Sequence, residues 1–125
     1  MTKKKILVVD DEVALTRTLK RNLEATERFV VRTENSSAAA LAAAREFQPD
    51  LILLDVMMPG VDGGEVAAQL KEDKQLCQTP IVFLSAIVKK DETAPTGSNI
   101  GGATFLAKPV KLEDLITCIE NQLGK

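Results

Sequence analysis

Two uninterrupted apolar runs, each closed by carboxylates, constrain the fold of this chain more than any other feature. The first covers residues 6–9 and leads into Asp10, Asp11 and Glu12; the second covers residues 51–54 and leads into Asp55. Such continuous runs are typical of parallel strands that are covered on both faces. The carboxyl ends of parallel strands meet at one edge of the sheet, which is where open α/β sheets bind ligands.

Several carboxylates at one sheet edge repel one another. A pair of like charges 4 Å apart costs about 4 kcal/mol at an effective dielectric constant near 20. The cluster around Asp10, Asp11 and Asp55 therefore predicts a bound cation. A cation next to a carboxylate nucleophile suggests phosphoryl chemistry.

Length and charge narrow the classes of protein. With 125 residues, of which 45% are apolar and 27% charged, we expect one soluble globular domain. A net charge of −2 predicts no general attraction to nucleic acid or to anionic membranes. No apolar stretch approaches the roughly 20 residues of a transmembrane helix, and the amino-terminal residues do not resemble a signal peptide. We therefore expect a cytoplasmic location.

The absence of histidine and the positions of the two cysteines argue against several kinds of catalytic and metal site. The sequence contains no histidine, which rules out Ser-His-Asp and Cys-His catalysis and histidine-ligated zinc. Cys77 and Cys118 are far apart and lack the spacing of metal ligands. A disulfide between them stays open at this point, but two reduced thiols are expected in the cytosol.

Apolar periodicity predicts five strand–helix units in an α/β fold. The predicted strands cover residues 5–9, 29–33, 51–54, 81–84 and 103–106. Helices are predicted for residues 12–25, for 64–72, for 111–123 and for a segment that is capped near Asn35 and ends at Phe47. Strands that alternate with helices imply parallel pairing through right-handed crossovers. A fourth helix between Ser85 and Gly102 should be irregular or shortened, because Pro95 and Gly97 interrupt it.

Four short motifs, each at the end of a predicted strand, resemble the receiver domain of bacterial two-component response regulators. They are Asp10-Asp11, then Asp55 with Pro59-Gly60, then Ser85-Ala86, and finally Lys108-Pro109. The similarity extends over essentially the whole chain and includes the chemotaxis regulators. It implies a single receiver domain over residues 1–125, with a flavodoxin-like doubly wound sheet of five parallel strands in the order 2-1-3-4-5.

The resemblance assigns a role to each acidic position. Asp55 would accept a phosphoryl group and become an aspartyl phosphate. Asp10, Asp11 and Asp55, with the backbone carbonyl of Met57, would be the ligands of a Mg²⁺ ion. Magnesium suits such a site because it prefers oxygen ligands and bridges carboxylates to phosphate.

The remaining motif residues would respond to the phosphate. Lys108 would pair with it, and Ser85 would donate its hydroxyl to a phosphate oxygen. Phe105, three residues before Lys108, matches the switch aromatic of the family. The expected partners are a sensor histidine kinase or phosphotransfer protein as donor and an unknown downstream protein.

Two other functions stay open. A receiver-like interaction module would work without phosphate, although such modules usually lack an acidic or lysine position that this chain retains. An aspartate-nucleophile phosphatase of the haloacid-dehalogenase type is disfavoured, because that class carries Asp-x-Asp after its first strand. We expect a signalling domain that accepts and slowly loses a phosphoryl group, and not a true enzyme.

Overall fold

The computed structural model describes residues 3–56, 63–85, 98–100, 103–107 and 111–123. Their elements follow one another along the chain as β1 (Lys4–Val9), α1 (Val13–Ala25), β2 (Phe29–Glu34), a 3-10 turn (Ser37–Ala39), α2 (Ala40–Phe47), β3 (Leu51–Asp55), α3 (Gly63–Glu72), β4 (Ile81–Ser85), β5 (Ser98–Ile100), β6 (Ala103–Ala107) and α4 (Leu112–Gln122).

The strands form one sheet in the order β2-β1-β3-β4-β6-β5. Its first five members are parallel, and they are the five strands that the apolar runs predicted. The doubly wound α/β fold and the predicted strand order are therefore confirmed. The additional β5 pairs antiparallel with β6 at the edge of the sheet.

The sheet separates two apolar layers, which explains the unbroken apolar runs. Alternate residues of β1 enter opposite layers: Ile6 and Val8 lie in the layer that contains Leu19 of α1 and Leu115 of α4. Leu7 and Val9 lie in the layer that contains residues of α2 and α3. The side chains of these four residues, Ile6 to Val9, are fully buried. Neither face of these strands needs polar residues, since helices cover both.

The helices pack apolar residues against the sheet, some of them buried and others, such as Leu112 and Ile116, partly buried. Leu19 and Leu23 of α1 are buried, as are Leu115 and Ile119 of α4. In contrast, α2 begins only at Ala40, after a 3-10 turn whose N-cap, Ser36, makes no side-chain capping hydrogen bond.

An ion pair connects α2 to the segment that follows α3. The Arg45 guanidinium Nε donates to Asp73 Oδ2 at 2.5 Å, and the Gln75 backbone N–H donates to Asp73 Oδ1 at 2.8 Å. The hydrogen bond from Arg45 lowers the pKa of the Asp73 carboxyl below its usual value. The Asp73 carboxylate is therefore ionised near neutral pH, and it links Arg45 of α2 to the segment after α3.

The two cysteines are free thiols, so the open disulfide alternative is wrong. Burial raises the pKa of the Cys118 thiol to about 11, which keeps it protonated and unreactive near neutral pH. Cys118 belongs to the apolar layer beneath α1 and α4. Within the described parts of the chain, no helix combines the length and apolar character that a bilayer crossing requires.

The predicted irregular fourth helix falls mostly outside the described residues, which omit 86–97. The part that is described, Ser98–Ile100, is a strand and not a helix.

Candidate functional site

The carboxyl ends of β1 and β3 place three aspartates side by side. These two strands are hydrogen-bonded neighbours with Val9 opposite Leu54, so that both end at the same level. Asp10 and Asp11 continue the chain beyond β1, while Asp55 is the last residue of β3. Adjacent strands lie about 4.8 Å apart. The register alone therefore brings Asp10 next to Asp55.

One carboxylate oxygen from each of Asp10, Asp11 and Asp55 lies within 4.8 Å of the other two. Asp10 is fully buried and Asp55 is 3% exposed, whereas Asp11 is exposed to solvent. Carboxylate oxygens are hard donors of the kind that Mg²⁺ prefers, and the exposed Asp11 leaves room for the waters that this ion retains. The donor set fits magnesium.

The loop that carries Asp10 and Asp11 folds directly into α1. Asp10 Oδ1 accepts a hydrogen bond from the Glu12 backbone N–H at 2.9 Å, and the Glu12 carbonyl accepts the first helical bond from the Thr16 N–H at 3.1 Å. This side-chain-to-backbone bond, two residues along the chain, is a common turn former for aspartate. The turn also fixes the orientation of the Asp10 carboxylate.

Asn35 is a residue near the site whose place the sequence did not predict. Its side-chain Nδ2 donates to the Asp10 carbonyl at 2.8 Å and to Thr16 Oγ1 at 3.0 Å. The sequence predicts Asn35 only as part of a helix cap. The signal that could have revealed it is the strand order, which places the end of β2 next to the end of β1.

Ser85 and Phe105 lie on the other side of β3. Leu84 is the partner of Asp55 in the β3–β4 ladder, so the backbone of Ser85 lies one residue further along β4. Phe105 pairs with Phe83 between β4 and β6, and the two rings are stacked with centroids 5.1 Å apart. Both phenylalanines are partly buried. The predicted roles of Ser85 and Phe105 stay predictions.

Two predicted site residues, Lys108 and Met57, lie outside the described residues. Their predicted contacts with the phosphate and the metal ion therefore stay predictions.

Helix α1 begins two residues after Asp11 and has a solvent-exposed face. Ala14, Arg17, Thr18 and Arg21 line a cleft of about 500 Å³ on this face. Val13, two residues after Asp11, is 46% exposed. Within the part of the chain that the structure describes, neither Arg17 nor Arg21 takes part in an ion pair. The face offers both apolar surface and positive charge.

Comparison with known proteins gives a consistent result. The family model of the response regulator receiver domain matches residues 6–120. The polar-differentiation response regulator DivK of Brucella ovis is 33% identical over 124 residues, which cover 99% of this chain and 98% of DivK. The response regulator PleD of Caulobacter vibrioides is 42% identical over 106 residues. The match to PleD covers 85% of this chain but only 23% of the length of PleD.

Solved structures agree with the fold. The chemotaxis response regulator CheY4 of Vibrio cholerae superimposes with a TM-score of 0.82 at 28% identity, covering 98% of this chain and all of CheY4. A putative response regulator from Chloroflexus aurantiacus gives a TM-score of 0.83 at 26% identity, covering 99% of this chain and 100% of that one.

Proposed function

This chain belongs to the response regulator receiver family, and on that basis we propose that it is a magnesium-dependent phosphoacceptor domain. Asp55 is the acceptor, and a sensor histidine kinase or phosphotransfer protein is the donor. The observation that supports the proposal most is the cluster of Asp10, Asp11 and Asp55 within 4.8 Å. We further propose that residues 1–125 form one receiver domain that works in the cytoplasm.

The transfer step is a nucleophilic substitution at phosphorus. A carboxylate oxygen of Asp55 forms a new P–O bond while the P–N bond of the donor phosphohistidine breaks, and the bonding electron pair returns to the imidazole nitrogen. With acetyl phosphate as donor, a P–O bond breaks and acetate leaves. Asp10, Asp11, Asp55 and the Met57 carbonyl would hold Mg²⁺, which neutralises charge on the transferring group when it is bound.

Side chains of the protein would then bind the new phosphate. Lys108 pairs with its negative charge, and the Ser85 hydroxyl donates to one of its oxygens. Movement of Ser85 allows the Phe105 ring to reorient. That movement breaks the stacking on Phe83, and an aromatic pair of this kind contributes about 0.5–1.5 kcal/mol. The stack would thus favour the unphosphorylated state by a modest, reversible margin.

The exposed face of α1 is the surface that we expect the donor protein to contact. The helix begins two residues after Asp11, and the two arginines on this face favour an acidic helical surface that carries the phosphohistidine. We predict that reversing both charges, Arg17→Glu with Arg21→Glu, slows phosphotransfer from a sensor kinase at least about tenfold. The rate with acetyl phosphate should not change. Parallel time courses with the two donors measure the difference.

Lys20→Glu provides the matched control for the single variants Arg17→Glu and Arg21→Glu, because each reverses one charge and Lys20 is an exposed α1 residue that does not line the cleft. It should reduce the kinase-driven rate far less than either single arginine variant. Equal losses with both phosphodonors would show that the arginines support the fold or the site, and not the recognition of a donor.

Mass spectrometry of the intact protein after treatment with acetyl phosphate tests the proposed function. We expect a mass gain of one phosphoryl group in the presence of Mg²⁺ and almost none after chelation. If no phosphate is incorporated at any Mg²⁺ concentration, the phosphoacceptor proposal is wrong and the phosphate-independent interaction module becomes the better interpretation. Continuous release of inorganic phosphate from phosphate esters would instead indicate a phosphatase.

A further inference from the structure

We propose that Asn35 is a positioning residue of the acidic site, which holds the loop of Asp10 and Asp11 in the geometry that binds the cation. The inference rests on the proposed function for its consequence, but its structural basis is independent. Asn35 would not touch the cation or the phosphoryl group. It would act through the backbone of Asp10 and the first turn of α1.

The Asn35 amide connects three segments that converge at this edge of the sheet. Its two N–H groups supply two hydrogen bonds, one to the carbonyl of Asp10 at 2.8 Å and one to the hydroxyl of Thr16 at 3.0 Å. Thr16 Oγ1 donates in turn to the Val13 carbonyl at 3.0 Å. The end of β2 is thereby joined to the end of β1 and to the start of α1.

Backbone pairing brings Asn35 into this position. The Asp10 N–H donates to the Glu34 carbonyl at 3.0 Å, which is the last bond of the β1–β2 ladder. Asn35 is the next residue after Glu34, and its side chain reaches the carbonyl of Asp10, the residue whose N–H makes this ladder bond. The backbone of Asp10 is therefore held on both its amide and its carbonyl by two successive residues of one neighbouring segment.

The arrangement addresses a specific weakness of the site. Asp10, Asp11 and Asp55 repel one another when no cation is bound, and Asp11 lies in a short loop that could relieve the repulsion by moving outward. Tying Asp10 and Thr16 to Asn35 restrains this loop at both ends. Less rearrangement is then required when the cation binds, which is the usual benefit of a preorganised site.

Asn35 suits experimental testing because it is exposed, whereas Asp10 and Thr16 are 0% and 1% exposed. Truncating an exposed side chain leaves the apolar layers unchanged. Ser36 is the matched control: it is the adjacent residue, it is also exposed, and its side chain makes no capping hydrogen bond.

The test compares Asn35→Ala with Ser36→Ala in two measurements. Calorimetric titration with Mg²⁺ should show a dissociation constant about tenfold higher for Asn35→Ala and unchanged for Ser36→Ala, in line with the loss of an outer-sphere partner. Amide hydrogen exchange without metal should be several-fold faster at Glu12, whose N–H is bonded to the Asp10 carboxylate. Thr16→Ser, which retains the hydroxyl acceptor, should behave like the unmodified protein.

Phosphorylation by acetyl phosphate then separates positioning from chemistry. A high Mg²⁺ concentration should restore the Asn35→Ala rate to nearly that of the unmodified protein, because only the affinity for the ion is reduced. A Mg²⁺ dissociation constant and a Glu12 exchange rate within twofold of the unmodified protein would overturn the inference. So would the same changes in Ser36→Ala.

The two proposals fail in distinguishable ways. Mg²⁺ binding and Glu12 exchange that depend on Asn35, with no phosphoryl uptake by the unmodified protein, would contradict the proposed function and support the positioning role. Normal Asp55-dependent phosphorylation, with an Asn35→Ala variant that binds Mg²⁺ normally, would contradict the positioning role alone.

Discussion

Replacing Asp55 with Asn should reduce phosphoryl incorporation from acetyl phosphate by at least about 1,000-fold, as expected when a nucleophile is removed. The amide is nearly the same size as the carboxylate but lacks its charge and its nucleophilic oxygen. Asp55 is 3% exposed at the end of a fully buried strand, so a change in shape would also disturb packing. Asn avoids that complication. The measurement is the fraction of phosphorylated protein against time, by mass spectrometry.

Circular dichroism provides the control for Asp55→Asn, whose spectrum should match that of the unmodified protein. Thermal stability without metal should be equal or higher, because one of three mutually repelling charges is gone. A variant that still gains one phosphoryl group at a comparable rate would contradict the assignment and transfer the acceptor role to another side chain.

Replacing Asp11 with Asn should have opposite effects on metal binding and on stability. We expect the affinity for Mg²⁺ to fall by at least about 100-fold, because a direct ligand is worth more than the outer-sphere partners whose loss costs 10- to 100-fold. The free energy of unfolding without metal should rise by about 1 kcal/mol. Charges within 4.8 Å of one another repel by about 3 kcal/mol or more at an effective dielectric constant of 20, and the exposure of Asp11 reduces this repulsion.

Urea unfolding of Asp11→Asn with and without Mg²⁺ measures both effects. The unmodified protein should gain stability as Mg²⁺ is added, since a ligand that binds only the folded state stabilises it. The variant should have a higher free energy of unfolding without metal, and this free energy should increase much less when Mg²⁺ is added. Glu72→Gln, which removes an exposed carboxylate from the end of α3, should leave both the metal-free stability and the gain unchanged. A lower metal-free stability for Asp11→Asn would contradict electrostatic strain in the cluster.

Local sequence patterns predicted the strands well because these strands are buried on both faces. Leu51 to Leu54 are all fully buried, so each position had to be apolar and the run could be recognised without knowledge of its neighbours. The ends were less predictable. Strand β2 was predicted to end at residue 33 but continues to Glu34, because Glu34 pairs with Val9 of β1. A local pattern does not show which residue lies opposite on the neighbouring strand.

The region before β6 shows the limit of helix-based reasoning. Proline and glycine in residues 95–97 argue against a regular helix, since each is costly in a helix interior, and this stays a prediction because these residues lie outside the described part of the chain. They give no indication that residues 98–100 form a strand. Ser98–Ile100 is an antiparallel strand because its backbone pairs with β6, and three residues carry too little periodicity to predict such a pairing.

Local patterns in the sequence were enough to predict the five parallel strands and the acidic character of the site, since carboxylates directly follow the apolar runs of β1 and β3. The resemblance to a known family supplied the strand order. Which polar groups meet depends instead on how the strands are arranged in the sheet. Asn35 is 25 residues from Asp10 and 19 from Thr16, and its amide reaches both because β2 lies beside β1. Hydrogen-bond partners at that separation depend on which strands are neighbours, and neighbours are selected by burial of the whole sheet and not by local preference.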